Sequence, residues 1–142
     1  MKTLPVLFAS LALAVAAYAG TKGAEPAQIA QGQIITLADH LVPGKTTIVD
    51  FTSKYCGPCQ VYNEPLAKLH AQRADLAVVK VDINRPDLKK IDWQSPVAQQ
   101  FNLRSIPHFK VYGPDGQLIA EDNPGVASPA RALVHQFIEK LK

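Results

Sequence analysis

Thr46-Thr47-Ile48-Val49-Asp50-Phe51-Thr52-Ser53-Lys54-Tyr55-Cys56-Gly57-Pro58-Cys59 decides the reading of this 142-residue chain. Its first half is β-branched and apolar over the length of a buried strand, interrupted by a single carboxylate, Asp50. Its second half holds the only two cysteines of the chain, three positions apart. If a helix starts here, that spacing is one turn. The sulfurs then neighbour each other on one face and can close a disulfide. The helix N-terminus would also stabilise a thiolate through its free N–H groups and dipole. A bridge of this kind closes almost no loop, so it adds little as a staple. The pair reads as a reversible dithiol/disulfide switch.

Working outward, Tyr62, Leu66, Leu69 and Arg73 recur at helical spacing, and Pro65 inside that pattern predicts a kink. Residues 76–81 form a second buried-type strand, and a long polar connection follows over 82–94. Ser95-Pro96 has the form of an N-cap with proline at the first helical position, opening a short helix to Phe101. Residues 108–112 and 117–121 read as a hairpin around Gly113-Pro114-Asp115-Gly116. Ser128-Pro129 repeats the cap signature before a helix with Leu133, Val134, Phe137, Ile138 and Leu141 on one stripe. Before the decisive stretch, residues 34–37 suggest a first short strand, 38–41 a turn or brief helix, and 20–33 a linker. The order β-α-β-α-β-α-β-β-α predicts one α/β domain over 34–142, a mixed sheet with helices on both faces.

A composition of 47% hydrophobic and 19% charged residues is that of an ordinary globular protein. The net charge of +3, without any run of five like charges, gives no reason to expect nucleic acid as a partner. Residues 1–19 stand apart. Lys2, the apolar stretch 4–16 and Ala17-Tyr18-Ala19 before Gly20 have the form of a cleavable export signal. The apolar stretch is shorter than the ~20 residues of a spanning helix. Cleavage would leave a periplasmic or secreted protein with no stable membrane insertion. Cysteine pairs in such compartments are usually staples, which makes this short-range pair the more unusual.

Four features taken together resemble the thioredoxin family over residues 34–142. They are Ile48-Val49-Asp50-Phe51 ahead of Cys56-Gly57-Pro58-Cys59; Val79-Lys80-Val81-Asp82; Ser105-Ile106-Pro107; and the closing hairpin and helix. The resemblance implies a thioredoxin fold, a monomer and no cofactor. It also implies Cys56 as an exposed nucleophile and Cys59 as a buried resolving thiol, with Gly57 and Pro58 fixing the turn between them. Asp50 would lie beneath the resolving cysteine as a proton shuttle, paired with Lys80. Pro107 would be a cis-proline beside the disulfide, and Tyr55, Gly57, Pro58, Ile106 and Pro107 would meet an extended substrate. The implied partners are disulfide-containing proteins and a redox partner such as a membrane electron donor.

The chain also departs from that family. Thr52 and Tyr55 stand where tryptophans usually flank the motif, and the single tryptophan is Trp93, in an insertion over residues 87–94. His108 follows Pro107 where a small polar residue is more common, and reads as a partly exposed strand histidine. Gly57-Pro58 resembles the reducing branch of the family, so reduction of disulfides in other secreted proteins is the leading expectation. A disulfide oxidase or isomerase, or a binding module with a non-catalytic disulfide, remain alternatives. A metal site is weaker, because two thiolates supply half of a structural zinc set and the four histidines show no completing spacing.

Overall fold

Strand β2, Thr46–Thr52, is buried at every position after Thr46, so both of its faces are covered. That explains its lack of polar alternation. The computed structural model describes residues 25–141, and the export signal read over 1–19 lies outside them. Parallel to β2 runs β3, Leu76–Asp82, with Asp50 in register with Lys80. On the other side β4, His108–Tyr112, pairs antiparallel and sets Phe51 against His108. The edges are β1, Ala27–Gln31, beside β3, and β5, Leu118–Glu121, beside β4, giving the order β1-β3-β2-β4-β5.

The first strand corrects the sequence reading. The linker expected over 20–33 contains β1, paired parallel to β3, whereas residues 34–37 form no strand. Ile34 is 68% exposed, and a 3₁₀ turn, Leu37–His40, follows. Gly32 ends β1 at φ +82°, its N–H bonded to the Asp82 carbonyl at 2.9 Å. A Cβ there would meet the Arg85 backbone nitrogen at 2.8 Å, so only glycine fits this turn.

One face of the sheet packs Ile48, Val78, Phe109 and Val111 against two helices. These are α2, Asn63–Gln72, through Leu66 and Leu69, and α4, Pro129–Glu139, through Ala130 and Val134. Burying a leucine of this kind is worth about 1.5–3 kcal/mol. The other face packs Val49, Phe51, Val79 and Val81 against the short helix α3, Pro96–Gln100, through Val97 and Ala98. Ser95 caps α3 as predicted, its hydroxyl accepting from the Ala98 N–H at 3.2 Å.

Two helix starts differ from expectation. The helix after the cysteines is not kinked at Pro65 but divided before it into α1, Gly57–Gln60, and α2. Proline lacks the N–H that would bond the carbonyl four residues back, and its ring crowds that carbonyl, so the chain breaks around Val61. Ser128 makes no side-chain cap for α4. The buried Asp122 takes that role from β5's end, accepting the Arg131 N–H at 2.9 Å and the Phe109 N–H at 3.1 Å.

Candidate active site

At the C-terminal end of β2 the chain turns through Ser53-Lys54-Tyr55 into α1, and Cys56 caps that helix. Its sulfur accepts from the Cys59 N–H at 3.2 Å. The sulfurs of Cys56 and Cys59 are joined in a disulfide, with Cα atoms 5.3 Å apart. The expected difference in exposure is small. Cys56 retains 3% and Cys59 none, so both are nearly covered and only Cys56 is reachable. Because α1 has four residues, a thiolate at Cys56 would depend on local N–H donors more than on a long helix dipole.

The loop before β4 closes over this pair. The Ile106–Pro107 peptide is cis, and the Ile106 carbonyl oxygen lies 3.6 Å from the Cys56 sulfur. Arg131, from α4, donates to the Pro107 carbonyl at 2.6 Å and anchors the loop from the far side. Gly57 and Pro58 are exposed, and Tyr55 and Ile106 are half-buried around the disulfide. The structure therefore brings Tyr55, Cys56, Gly57, Pro58, Cys59, Ile106 and Pro107 to one place.

Asp50 and Lys80 are neighbours in register on β2 and β3. Asp50 is fully buried, and neither carboxylate oxygen has a hydrogen-bond partner. Burial pushes its pKa from 3.8 up to about 7, against the opposing pull of the Lys80 ammonium. The expected direct Asp50–Lys80 pair is modified: the Lys80 ammonium donates to Asn63 of α2 at 2.6 Å. Lys80 also lines a polar cleft of about 120 Å³ with Thr52, Ser53, Gln60 and Asn63, which leads solvent to the side chain next to Asp50. Asp50 is electrostatically felt by Tyr62, whose N–H bonds the Cys59 carbonyl at 3.1 Å.

His108 is another correction. It is buried, not partly exposed, edge-on to Phe51 at 5.7 Å between ring centroids. Its Nε2 is 3.7 Å from Glu121, whose carboxylate is taken at 2.6 Å by Lys110. Burial holds the imidazole below its usual pKa, with the Asp122 and Glu121 carboxylates opposing.

Sequence reasoning missed the support of the loop that carries Cys56. Ser53 is buried; its hydroxyl donates to the Asn84 side-chain oxygen at 2.6 Å and accepts from the Tyr55 N–H at 3.1 Å. Gln60 donates to the carbonyls of Ser53 at 3.1 Å and Cys56 at 3.3 Å. A buried-type strand running straight into an asparagine, Val81-Asp82-Ile83-Asn84, was the available signal.

A parallel-centred sheet that presents a two-residue-spaced cystine at a helix start, beside a cis-proline, defines the thioredoxin-fold class. Residues 36–139 match the thioredoxin family, and the chain belongs to that family. Among its relatives, the H-type thioredoxin of Fagopyrum esculentum is 32% identical over 68 residues, covering 48% of this chain and 52% of that protein. A thioredoxin of Coprinus comatus is 32% identical over 80 residues, covering 55% and 67% respectively. The chain thus spans about half to two thirds of the length of these curated relatives. Mitochondrial thioredoxin 3 of Saccharomyces cerevisiae superposes with a TM-score of 0.52 at 24% identity, over 80% of this chain and 94% of that one. The thioredoxin of Trichomonas vaginalis gives 0.55 at 22%, over 84% and 100%. At those identities the likeness speaks for the fold alone.

Proposed function

We propose that this chain is an exported thiol–disulfide oxidoreductase that reduces disulfides in other proteins. The observation that carries it is the Cys56–Cys59 disulfide itself, at the end of the sheet where the Cys56 sulfur is reachable and lies 3.6 Å from the Ile106 carbonyl oxygen. In the reduced protein the Cys56 thiolate attacks a substrate S–S bond. A mixed disulfide forms and one substrate sulfur leaves as thiolate. Cys59 then attacks the Cys56 sulfur, its proton passing to the Asp50 carboxylate directly or through one water. The internal disulfide forms and the second substrate sulfur is released. Two electrons have moved to the substrate, and an external dithiol must return them before the next cycle.

Export rests on residues 1–19, read from the sequence alone, and places the substrates among proteins outside the cytoplasm. Direction rests on Gly57-Pro58. An equilibrium titration of the pair against glutathione tests it: a potential near about −270 mV is expected of a reductant, and one near about −120 mV would assign an oxidant instead.

A further inference from the structure

The connection between β3 and α3 is tied to the nucleophile's loop by one buried side chain. Asn84, 3% exposed, accepts the Ser53 hydroxyl and donates from its amide nitrogen to the Lys90 carbonyl at 2.5 Å. The Asp92 N–H points back to the same Asn84 oxygen at 3.4 Å. Arg85 grips the Asp92 carboxylate at 2.7 and 3.1 Å. Residues 84–92 are therefore held in place, one hydrogen bond from the turn that carries Cys56. Polar bonds spent on fixing a surface connection suggest that its surface is used.

What that surface offers is a second wall beside the cis-proline loop. Beyond Asp92, Trp93 and Gln94 line a cleft of about 400 Å³ together with Gln99, Asn102, Leu103 and Arg104. Arg104 stands two residues before Ile106, at the start of the same loop. Arg104, Lys54, Lys89 and Lys90 are all exposed, and among the described residues none of them has a carboxylate within ion-pair distance. The acids at this end are largely committed. Asp92 is held by Arg85, and Asp82 accepts the Asn84 N–H at 2.9 Å within electrostatic reach of Lys54. Among the described acids of this connection, Asp87 is exposed and within ion-pair distance of no cation.

We propose that this connection and Arg104 select disulfide partners with acidic side chains flanking the attacked cysteine. An extended substrate segment whose cysteine meets Cys56 beside Ile106 brings its flanking residues towards Arg104, in the same loop. Trp93 lines the cleft next to it, and Lys54, Lys89 and Lys90 draw the acidic segment in. The inference rests on the oxidoreductase reading and adds to it the class of substrate.

Single-turnover reduction by the reduced protein is measured on two cystine peptides differing only in flanking glutamates or lysines. The uncharged bis(2-hydroxyethyl) disulfide is run alongside. At low salt the acidic peptide is expected to react about 3- to 10-fold faster, and the ratio to fall towards one near 1 M salt, where the Debye length is about 3 Å. Arg104→Gln narrows the ratio and Arg104→Glu narrows it further; the side chain is exposed, so neither change disturbs the core. Equal rates for both peptides on the unaltered protein, or a ratio indifferent to Arg104, overturn the proposal while leaving the thiol chemistry standing. Failure to reduce all three disulfides overturns the oxidoreductase reading and this one with it.

Discussion

Cys56→Ser loses disulfide exchange, by roughly 10³-fold or more. The nucleophile in this chemistry is a thiolate, and a serine hydroxyl is not ionised near neutral pH. Cys59 cannot substitute for it. It is fully buried, whereas Cys56 keeps the small exposed surface of the pair and sits 3.6 Å from the Ile106 carbonyl oxygen. The fold should survive, because the bridge spans three residues and contributes little loop-closure entropy. The check is the rate of protein-disulfide reduction by a small dithiol above its uncatalysed background, with circular dichroism confirming the fold. A variant that reduces substrate at the unaltered rate would remove Cys56 from the mechanism.

Asp50→Asn should make the protein more stable at pH 8 while slowing its second chemical step. The Asp50 carboxyl is buried with both oxygens unpartnered, and its pKa is raised from 3.8 to about 7. Between those values the folded chain holds a proton that the unfolded chain has released. Stability is therefore complete below pH 3.8, falls as pH rises towards 7, and stays reduced above it. The shift corresponds to a penalty on the order of 4 kcal/mol above pH 7. Asparagine has no charge to desolvate, so the variant's stability should not carry that slope. Urea unfolding at pH 4 and pH 8 tests this: the two proteins should differ little at the lower pH and by that amount at the higher. Parallel pH profiles would mean that Asp50 ionises freely in the fold. In the same variant, release of the second substrate thiol should slow near pH 7, because Cys59 loses its proton acceptor, while formation of the mixed disulfide should be nearly unchanged.

Elements with their own local pattern were readable. The decisive strand, the second strand over 76–82, the closing hairpin and the last helix follow from apolar runs and turn residues confined to each segment. β1 was not, because Ala27–Gln31 carries no alternation and is mostly exposed; it is a strand only by virtue of pairing with β3. The cysteines and Asp50 announced themselves as residue types out of place in their surroundings. The supports did not. Ser53 and Asn84 meet across 31 residues, and Asp122 caps a helix that starts seven residues later, at Pro129. Contacts of that kind depend on the tertiary arrangement, which no local spacing reveals. His108 differs from expectation for the same reason: strand alternation places it on the face of Lys110, but only its packing against Phe51 and beside Glu121 shows it buried.

The ordered roles of the two cysteines are tested most directly by Cys59→Ser. The reduced variant is mixed with a protein disulfide substrate, and the products are mapped by peptide mass spectrometry under non-reducing conditions. Attack can proceed but resolution cannot, so the expected product is a lasting one-to-one adduct through Cys56. No adduct, with substrate thiols released as quickly as by the unaltered protein, would contradict a turnover in which Cys56 attacks and Cys59 resolves.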